Sequence, residues 1–386
     1  MSGIERQLLT INSVGALSFG PGAALQCALD LAARGAESVL LVTTAPTRAL
    51  SDPLVAALRG SGCRVVVWDD LAGEPSFSDF AKALAVAQAA GVDAVVGLGG
   101  GSAMDVAKLV AALADGKQQI RDAIGVDKLA GRALWLGCIP TTSGTGSEVT
   151  PIAILGDEDE DLKKGVVSRH LVPDGAYLDP LLTVSMPASV TAATGLDALT
   201  HCIEAYANRF SHPLIDVYAR EGITLIANHL ERACSYGGDL EARTAMMRAS
   251  LYGGLCLGPV NTAAVHALAY PLGGEFHIAH GMANALLLPH VLRFNLEASP
   301  RRYAEIAWAM GVTPSGDDTA DALQGIECVV NLADRCGVKR GMRHFGIARD
   351  AIPRMAVAAM TVTRLLERNP RELTEQDVVN IYEAAW

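Results

Sequence analysis

Asp93–Ser102 reads DAVVGLGGGS, a short apolar run that ends in three consecutive glycines and a serine. A run of this length closed by turn residues has the character of a strand buried on both faces. Ala103–Ala114 follows it with Ala, Val and Leu at helical spacing, so the unit reads strand, glycine turn, helix. Its neighbours repeat the alternation. Glu37–Thr43 (ESVLLVT), Cys63–Trp68 (CRVVVW) and Leu134–Ile139 read as strands, and Thr47–Gly60 and Phe77–Ala90 as helices. Strands alternating with helices at this pitch predict a parallel sheet covered by helices on both faces.

After about residue 185 the period changes. Met186-Pro187 is followed by long segments of 3.6-residue periodicity at 188–208, 214–233, 240–256, 262–272, 281–296, 301–310 and 318–336, without convincing strands. The chain therefore divides into an α/β domain over 1–184 and an all-helical domain over 185–386, with the boundary near 180–187. No low-complexity linker separates them, which predicts close packing around a cleft. The acidic run Asp157–Asp161 (DEDED) reads as a hairpin tip or surface loop, since charge runs are usually solvated.

Half of the 386 residues are hydrophobic and 19% are charged, which supplies large cores and excludes a disordered chain. The net charge of −11, without a basic stripe, argues against nucleic-acid binding. The start, MSGIERQLL, lacks the basic leader and apolar run of a secretory signal. No stretch reaches the ~18 uninterrupted apolar residues of a membrane helix. The eight cysteines include no CxxC pair and sit among apolar neighbours, so they read as free thiols in a reducing, cytoplasmic setting.

The turn Gly97–Ser102 is suited to a phosphate. Glycine lets a ligand approach the backbone, and the helix that follows offers unpaired N–H groups at the positive end of its dipole. Asp105 and Lys108 stand one and two turns into that helix. A GxGxxG fingerprint would need glycine where Ser102 stands, so the loop alone is weak evidence. A second loop, Pro140–Glu148 (PTTSGTGSE), also follows a strand and carries five hydroxyl side chains. Two such loops at strand ends favour a dinucleotide more than either does alone.

In the helical half, Asp197 and His201 are four residues apart, on one face of a helix. His266 and His280 lie in apolar helical sequence where a neutral imidazole needs a partner. One carboxylate and three imidazoles suit a divalent first-row metal such as Fe²⁺ or Zn²⁺. Each histidine taken singly reads equally well as a structural residue. His277 stands three residues before His280; His170, His212, His229, His290 and His344 read as structural or surface.

These motifs carry a resemblance. Gly99–Ser102 with Asp105 and Lys108, then Pro140–Glu148, MPASVTAATGLDALTHCIE (186–204), HALAYPLGG (266–274) and HGMANALLLP (280–289) resemble the iron-containing (group III) alcohol dehydrogenases along nearly the whole chain. The resemblance implies an N-terminal Rossmann-like nucleotide-binding domain and a C-terminal helical metal-binding domain, the fold shared with dehydroquinate synthase, with the active site between them. It implies metal ligation by Asp197, His201, His266 and His280. It implies cofactor binding by Gly99, Gly100, Gly101 and Ser102, and by Thr141, Thr142, Thr145 and Lys163, with Asp105 in the glycine-loop motif. It further implies an NAD- or NADP-dependent dehydrogenase of small primary alcohols or aldehydes, cytoplasmic and homo-oligomeric. The alternative on the same fold is a dehydroquinate synthase-like lyase or cyclase. That class needs a basic phosphate pocket, and no such cluster stands near the metal motifs. A non-catalytic binding protein is a third reading, against which the intact ligand set argues.

Three positions depart from the family pattern. The acidic residue that pairs with the NAD ribose is Thr44 here, with Arg48 four residues on, which opens NADP use. The second histidine four residues after the third ligand is Tyr270, which joins His277 as a candidate for proton exchange. Leu257–Asn261 (LGPVN) lacks the family's phenylalanine and Ser-Asn pair, altering the expected substrate wall.

Overall fold

The computed structural model describes residues 8–159 and 162–386. Most of MSGIERQLL and the end of the acidic run, Glu160 and Asp161, lie outside the described residues. The chain forms two compact units, Ile11–Thr142 with Gly146–Val184, and Ser185–Trp386 with Ser143–Thr145 and residues 8–10.

The first unit runs β1 (Ala16–Phe19), α1 (Ala23–Ala33), β2 (Ser38–Thr44), α2 (Asp52–Gly60), β3 (Arg64–Leu71), α3 (Phe77–Ala90), β4 (Ala94–Gly99), α4 (Gly101–Leu113), α5 (Ile120–Ala123), β5 (Gly125–Val126), β6 (Trp135–Pro140), β7 (Ile152–Asp157), β8 (Leu162–Val167) and β9 (Gly175–Leu178). Six strands make one sheet in the order β1-β9-β6-β4-β2-β3, every pair parallel. Alternate side chains of each strand enter opposite cores. Leu40, Val42, Val95 and Leu136 pack with α3 and α4, whereas Val39, Leu41, Val96 and Ile139 pack with α1 and α2. This explains why the strands read as continuous apolar runs: both faces are buried.

The crossing from β3 back to β4 passes over β2, so the strand order reverses between β2 and β4. Open α/β sheets hold ligands outside the carboxyl ends of the strands at such a point. Here those ends are Thr44 and Gly99. A smaller sheet, β5-β8-β7, contains the β7–β8 hairpin, with Asp157 opposite Leu162. At its tip Arg121 binds the buried Asp157 at 3.0 Å and the exposed Asp159 at 2.6 Å.

The second unit is helical: α6 (Ala188–Tyr206), α7 (Pro213–Ser235), α8 (Leu240–Leu257), α9 (Ala264–Gly274), α10 (His280–Asn295), α11 (Pro300–Ala309), α12 (Asp318–Arg335), α13 (Ile352–Met360), α14 (Thr363–Leu366) and α15 (Glu375–Ala385). One continuous apolar cluster joins them, with Leu199, Ile203, Leu268 and Leu287 fully buried. The LGPVN segment connects α8 to α9. Val260 is fully buried there, and the Asn261 carbonyl accepts from Asn208 Nδ2 at 3.1 Å, so much of this expected substrate wall is packed into the fold. No helix of the described residues is long and apolar enough to cross a membrane.

Candidate active site

Three helices of the second unit converge on one carboxylate. Asp197 and His201 sit one turn apart on α6, His266 is in the first turn of α9, and His280 opens α10. Asp197 Oδ1 lies 3.8 Å from His201 Nε2, 3.7 Å from His266 Nε2 and 3.6 Å from His280 Nε2. The His201 and His266 rings are stacked with centroids 4.7 Å apart. All four ligand atoms fall within 4.8 Å of one another. A tetrahedral ion with bonds of about 2.1 Å separates its ligands by roughly 3.4 Å, so this donor set fits a divalent metal with a small contraction. Gly281 permits the approach of α10, because a Cβ there would stand 2.3 Å from the Ala193 carbonyl oxygen on α6.

The electrostatics suit a cation. Burial would raise the Asp197 pKa, but His201, His280 and His266 hold it well below the usual carboxylate range. Burial pushes His201 downward, toward the neutral form that a metal requires, against the pull of Asp197. His266 goes the other way, up to about 9, because Glu204 and Asp197 outweigh its burial.

Two residues that the sequence reading left without a role belong to this cluster. Glu204 Oε2 lies 2.5 Å from His266 Nδ1. Asn284 Nδ2 donates to Asp197 Oδ1 at 2.7 Å and lies 3.1 Å from His266 Nε2 and 3.3 Å from His280 Nε2. Their signal was spacing: Glu204 follows Asp197 by seven residues and His201 by three, and Asn284 follows His280 by four. The two proton-exchange candidates are placed differently. His277 is exposed, in a left-handed conformation at φ 54° between α9 and α10. Tyr270 packs against the helical cluster, where burial raises its hydroxyl pKa against the opposing effect of Arg364.

In the α/β unit the glycine turn adjoins the start of the second predicted loop, whose residues Ser143–Thr145 group with the helical unit. Thr141 N donates to the Gly99 carbonyl at 2.9 Å, and β4 pairs with β6 up to Gly99 opposite Pro140. The glycines there differ in purpose. A Cβ on Gly97 or Gly99 would strike α4, at 2.9 Å from Ala107 Cβ and 2.8 Å from Ala103 Cβ. A Cβ on Gly100 would meet only ordinary contacts, the nearest being Thr142 Cγ2 at 3.5 Å. The fold does not need that space, whereas a phosphate at the α4 N-terminus does. Thr141 Oγ1 is buried without a hydrogen-bond partner, a further group left for a ligand. Gly101 and Ser102 form the first turn of α4, and Thr142 and Thr145 are partly exposed in the second loop. Gly100→Val is accordingly expected to weaken NAD(H) binding at least ~10-fold, about 1.4 kcal/mol, while metal content stays at the wild-type level. Fluorescence titration with NADH, beside metal analysis, checks this; unchanged affinity would leave the loop a structural turn.

Other cofactor candidates are engaged within the protein. Asp105 Oδ1 accepts from Ser147 Oγ at 2.7 Å and its Oδ2 from Ile154 N at 3.0 Å, so this carboxylate braces the loop after β6. Lys163 Nζ pairs with Glu74 at 2.8 Å. Thr44 Oγ1 lies 2.7 Å from Thr47 Oγ1 and caps the short 3₁₀ turn Ala45–Ser51, which replaces the start of the expected helix from Thr47. Arg48 binds Asp52 at 2.7 Å and lies 3.7 Å from Asp69, so two carboxylates already compete for the charge expected to attract a 2′-phosphate.

Residues 15–180 match the family model described as iron-containing alcohol dehydrogenase, and residues 191–386 match the C-terminal model of the Fe-containing alcohol dehydrogenase family. The chain belongs to the iron-containing alcohol dehydrogenase family. It is 40% identical over 376 residues to long-chain-alcohol dehydrogenase 1 of Geobacillus thermodenitrificans, covering 95% of this chain and 94% of that one. Among solved structures it resembles 1,3-propanediol oxidoreductase, with TM-score 0.95, 33% identity and coverage of 98% and 100%. It also resembles the sulfoacetaldehyde reductase of Bifidobacterium kashiwanohense in complex with NAD⁺, with TM-score 0.88, 28% identity and coverage of 98% and 99%. These likenesses do not favour the lyase or cyclase alternative.

Proposed function

We propose that this family member interconverts primary alcohols and aldehydes, using NAD(H) and Fe²⁺ held by Asp197, His201, His266 and His280. The observation that carries the reading is the convergence of three imidazole Nε2 atoms on Asp197 Oδ1. A divalent ion there supplies Lewis acidity toward an alcohol or carbonyl oxygen, and a nicotinamide supplies the hydride chemistry. The protein's part is placement. Gly99–Ser102 with Thr141, Thr142 and Thr145 receives the dinucleotide, Thr44 stands at the ribose end, and Lys163 and Asp105 support the surrounding loops. Proton exchange with solvent falls to His277, ahead of the packed Tyr270.

A long-chain alcohol, 1,3-propanediol and sulfoacetaldehyde share little beyond a terminal alcohol or aldehyde carbon. The primary carbon is therefore the common element carried to this chain, without a particular chain length. NAD is preferred over NADP in this reading because Arg48 is drawn to Asp52 and Asp69, which also repel a 2′-phosphate. A cytoplasmic homo-oligomer is supported by the free cysteines and by the sheet edge at β1, where Leu17 and Phe19 are exposed. The test is an aldehyde panel with Fe²⁺-loaded enzyme and either NADH or NADPH. Stoichiometric oxidation of NADH is expected, with kcat/KM for NADPH at least ~10-fold lower, about 1.4 kcal/mol. A panel without net NADH oxidation would overturn the activity, and equal use of NADPH would overturn the cofactor preference.

A further inference from the structure

We propose that Glu204 is a positioning residue of the metal centre: it fixes His266 in the tautomer that can bind an ion and balances the charge of the buried set. The inference rests on the reading of Asp197, His201, His266 and His280 as ligands.

The tautomer follows from which atoms can donate. Glu204 Oε2 is 2.5 Å from His266 Nδ1, and a carboxylate oxygen only accepts, so Nδ1 carries the hydrogen. The lone pair of the neutral ring is then on Nε2, the atom that lies 3.7 Å from Asp197 Oδ1. The other oxygen, Oε1, accepts from Val265 N at 2.6 Å. Val265 is in the first turn of α9, where a backbone N–H has no partner within the helix. One carboxylate thus caps the helix that carries His266 and sets the ring's proton. The positive N-terminal end of α9 also stabilises the charge of Glu204.

Charge gives Glu204 a second role, independent of the tautomer. With Asp197 as the only anion, a divalent ion would leave the set at +1. Glu204, whose side chain is 4% exposed, brings it to zero. An unbalanced charge in a site this buried is costly.

Glutamine at 204 separates shape from chemistry. If its amide oxygen keeps the bond from Val265 N, its NH₂ group faces Nδ1 and drives the ring proton to Nε2, which blocks ligation. If the amide turns, the NH₂ group opposes Val265 N–H. Either orientation spoils one of the two contacts, and the negative charge is gone in both. Aspartate keeps the charge but is one methylene shorter.

The experiment is competition of Zn²⁺ between a chelator and the full chain, stripped of metal, for wild type, Glu204→Gln and Glu204→Asp. The thermal midpoint of each protein with and without Zn²⁺ is measured beside it. Wild type is expected to bind one Zn²⁺ per chain, Glu204→Gln to show a 10–100-fold higher Kd, and Glu204→Asp an intermediate value. NADH affinity stays the same in all three. A residue that only caps α9 would lower the midpoints of metal-free and loaded protein together and leave Kd unchanged; that result overturns the proposal. Wild type that binds no Zn²⁺ overturns the ligand reading beneath it as well, so the two failures are distinguishable. If Glu204→Gln does not fold, the Kd of Glu204→Asp decides: a wild-type value overturns the proposal and a raised one supports it.

Discussion

Replacing His266 by alanine is expected to abolish metal retention and to lower kcat/KM for aldehyde reduction by at least ~10³-fold. The magnitude follows from what is lost. Lewis acidity at the reacting oxygen is worth several kcal/mol of transition-state charge stabilisation, and about 4 kcal/mol is a factor of ~10³ in rate. The structure makes His266 the most informative ligand to remove. It is 5% exposed, stacks on His201, and occupies Glu204 through Nδ1. Without the ring, the remaining donors of the set are Asp197, His201 and His280, and Glu204 loses His266 Nδ1 while keeping the Val265 N–H. His266 is not among the residues proposed to receive the dinucleotide, so NADH affinity should be unchanged and the loss is one of metal and not of fold. Metal analysis after dialysis, circular dichroism and NADH titration are read together. Full metal content with normal turnover in His266→Ala would sink the ligand assignment.

The sequence made some of this centre legible and hid the rest for physical reasons. Asp197 and His201 announce themselves by a spacing of four on one helix, but His266 and His280 reach the site from two other helices, so residue chemistry alone only suggests the four-member set and the family resemblance strengthens it. Glu204 was overlooked because an outer carboxylate leaves no motif of its own; its relation to His266 spans 62 residues. The buried strands β2, β4 and β6 were read closely, since burial on both faces writes an uninterrupted apolar run. Other elements escaped. β1 is a sheet edge with mostly exposed side chains, β8 (LKKGVV) carries two lysines and a glycine, and β9 has four residues. The helices beyond residue 336 are short and interrupted by irregular segments, which blurs the 3.6 period. Asp105 and Lys108 show a different limit. Their place in a cofactor-loop motif was evident, yet the structure turns them inward.

That inward turn predicts the largest effect on stability. Lys108 is fully buried on α4, and its Nζ lies 2.9 Å from Ser147 Oγ, 3.0 Å from both the carbonyl and Oγ1 of Thr150, and 2.8 Å from the Ile152 carbonyl. Burial pushes the Lys108 pKa down, while Asp105 and Glu148 hold it up. Burial likewise raises Glu148 to about 7 against the pull of Lys108. One ammonium thus ties Ser147, Thr150 and Ile152, at and after the end of the hydroxyl-rich loop, to the helix that begins at the glycine turn. Methionine has nearly the same length and fits the apolar surroundings, but it donates nothing. Lys108→Met would leave the Thr150 and Ile152 carbonyls short of a donor and remove a positive charge near Asp105 and Glu148. Leaving a buried acceptor without its donor costs about 1–3 kcal/mol, so the loss over this set is several kcal/mol, a large share of the 5–15 kcal/mol typical of whole-protein stability. For a unit of this size that corresponds to a fall in midpoint of roughly 10 °C. The loss should appear first in the α/β unit, because Lys108 and all of its partners belong to it. Calorimetry of metal-loaded protein is expected to show an early transition in Lys108→Met that NADH stabilises only weakly, since the loop Pro140–Glu148 has lost its anchor. The Zn²⁺ affinity of the helical unit should hardly change. A midpoint within 2 °C of wild type would mean that Ser147, Thr150 and Asp105 hold the loop without Lys108, and the buried ammonium would have to be explained by something other than stability.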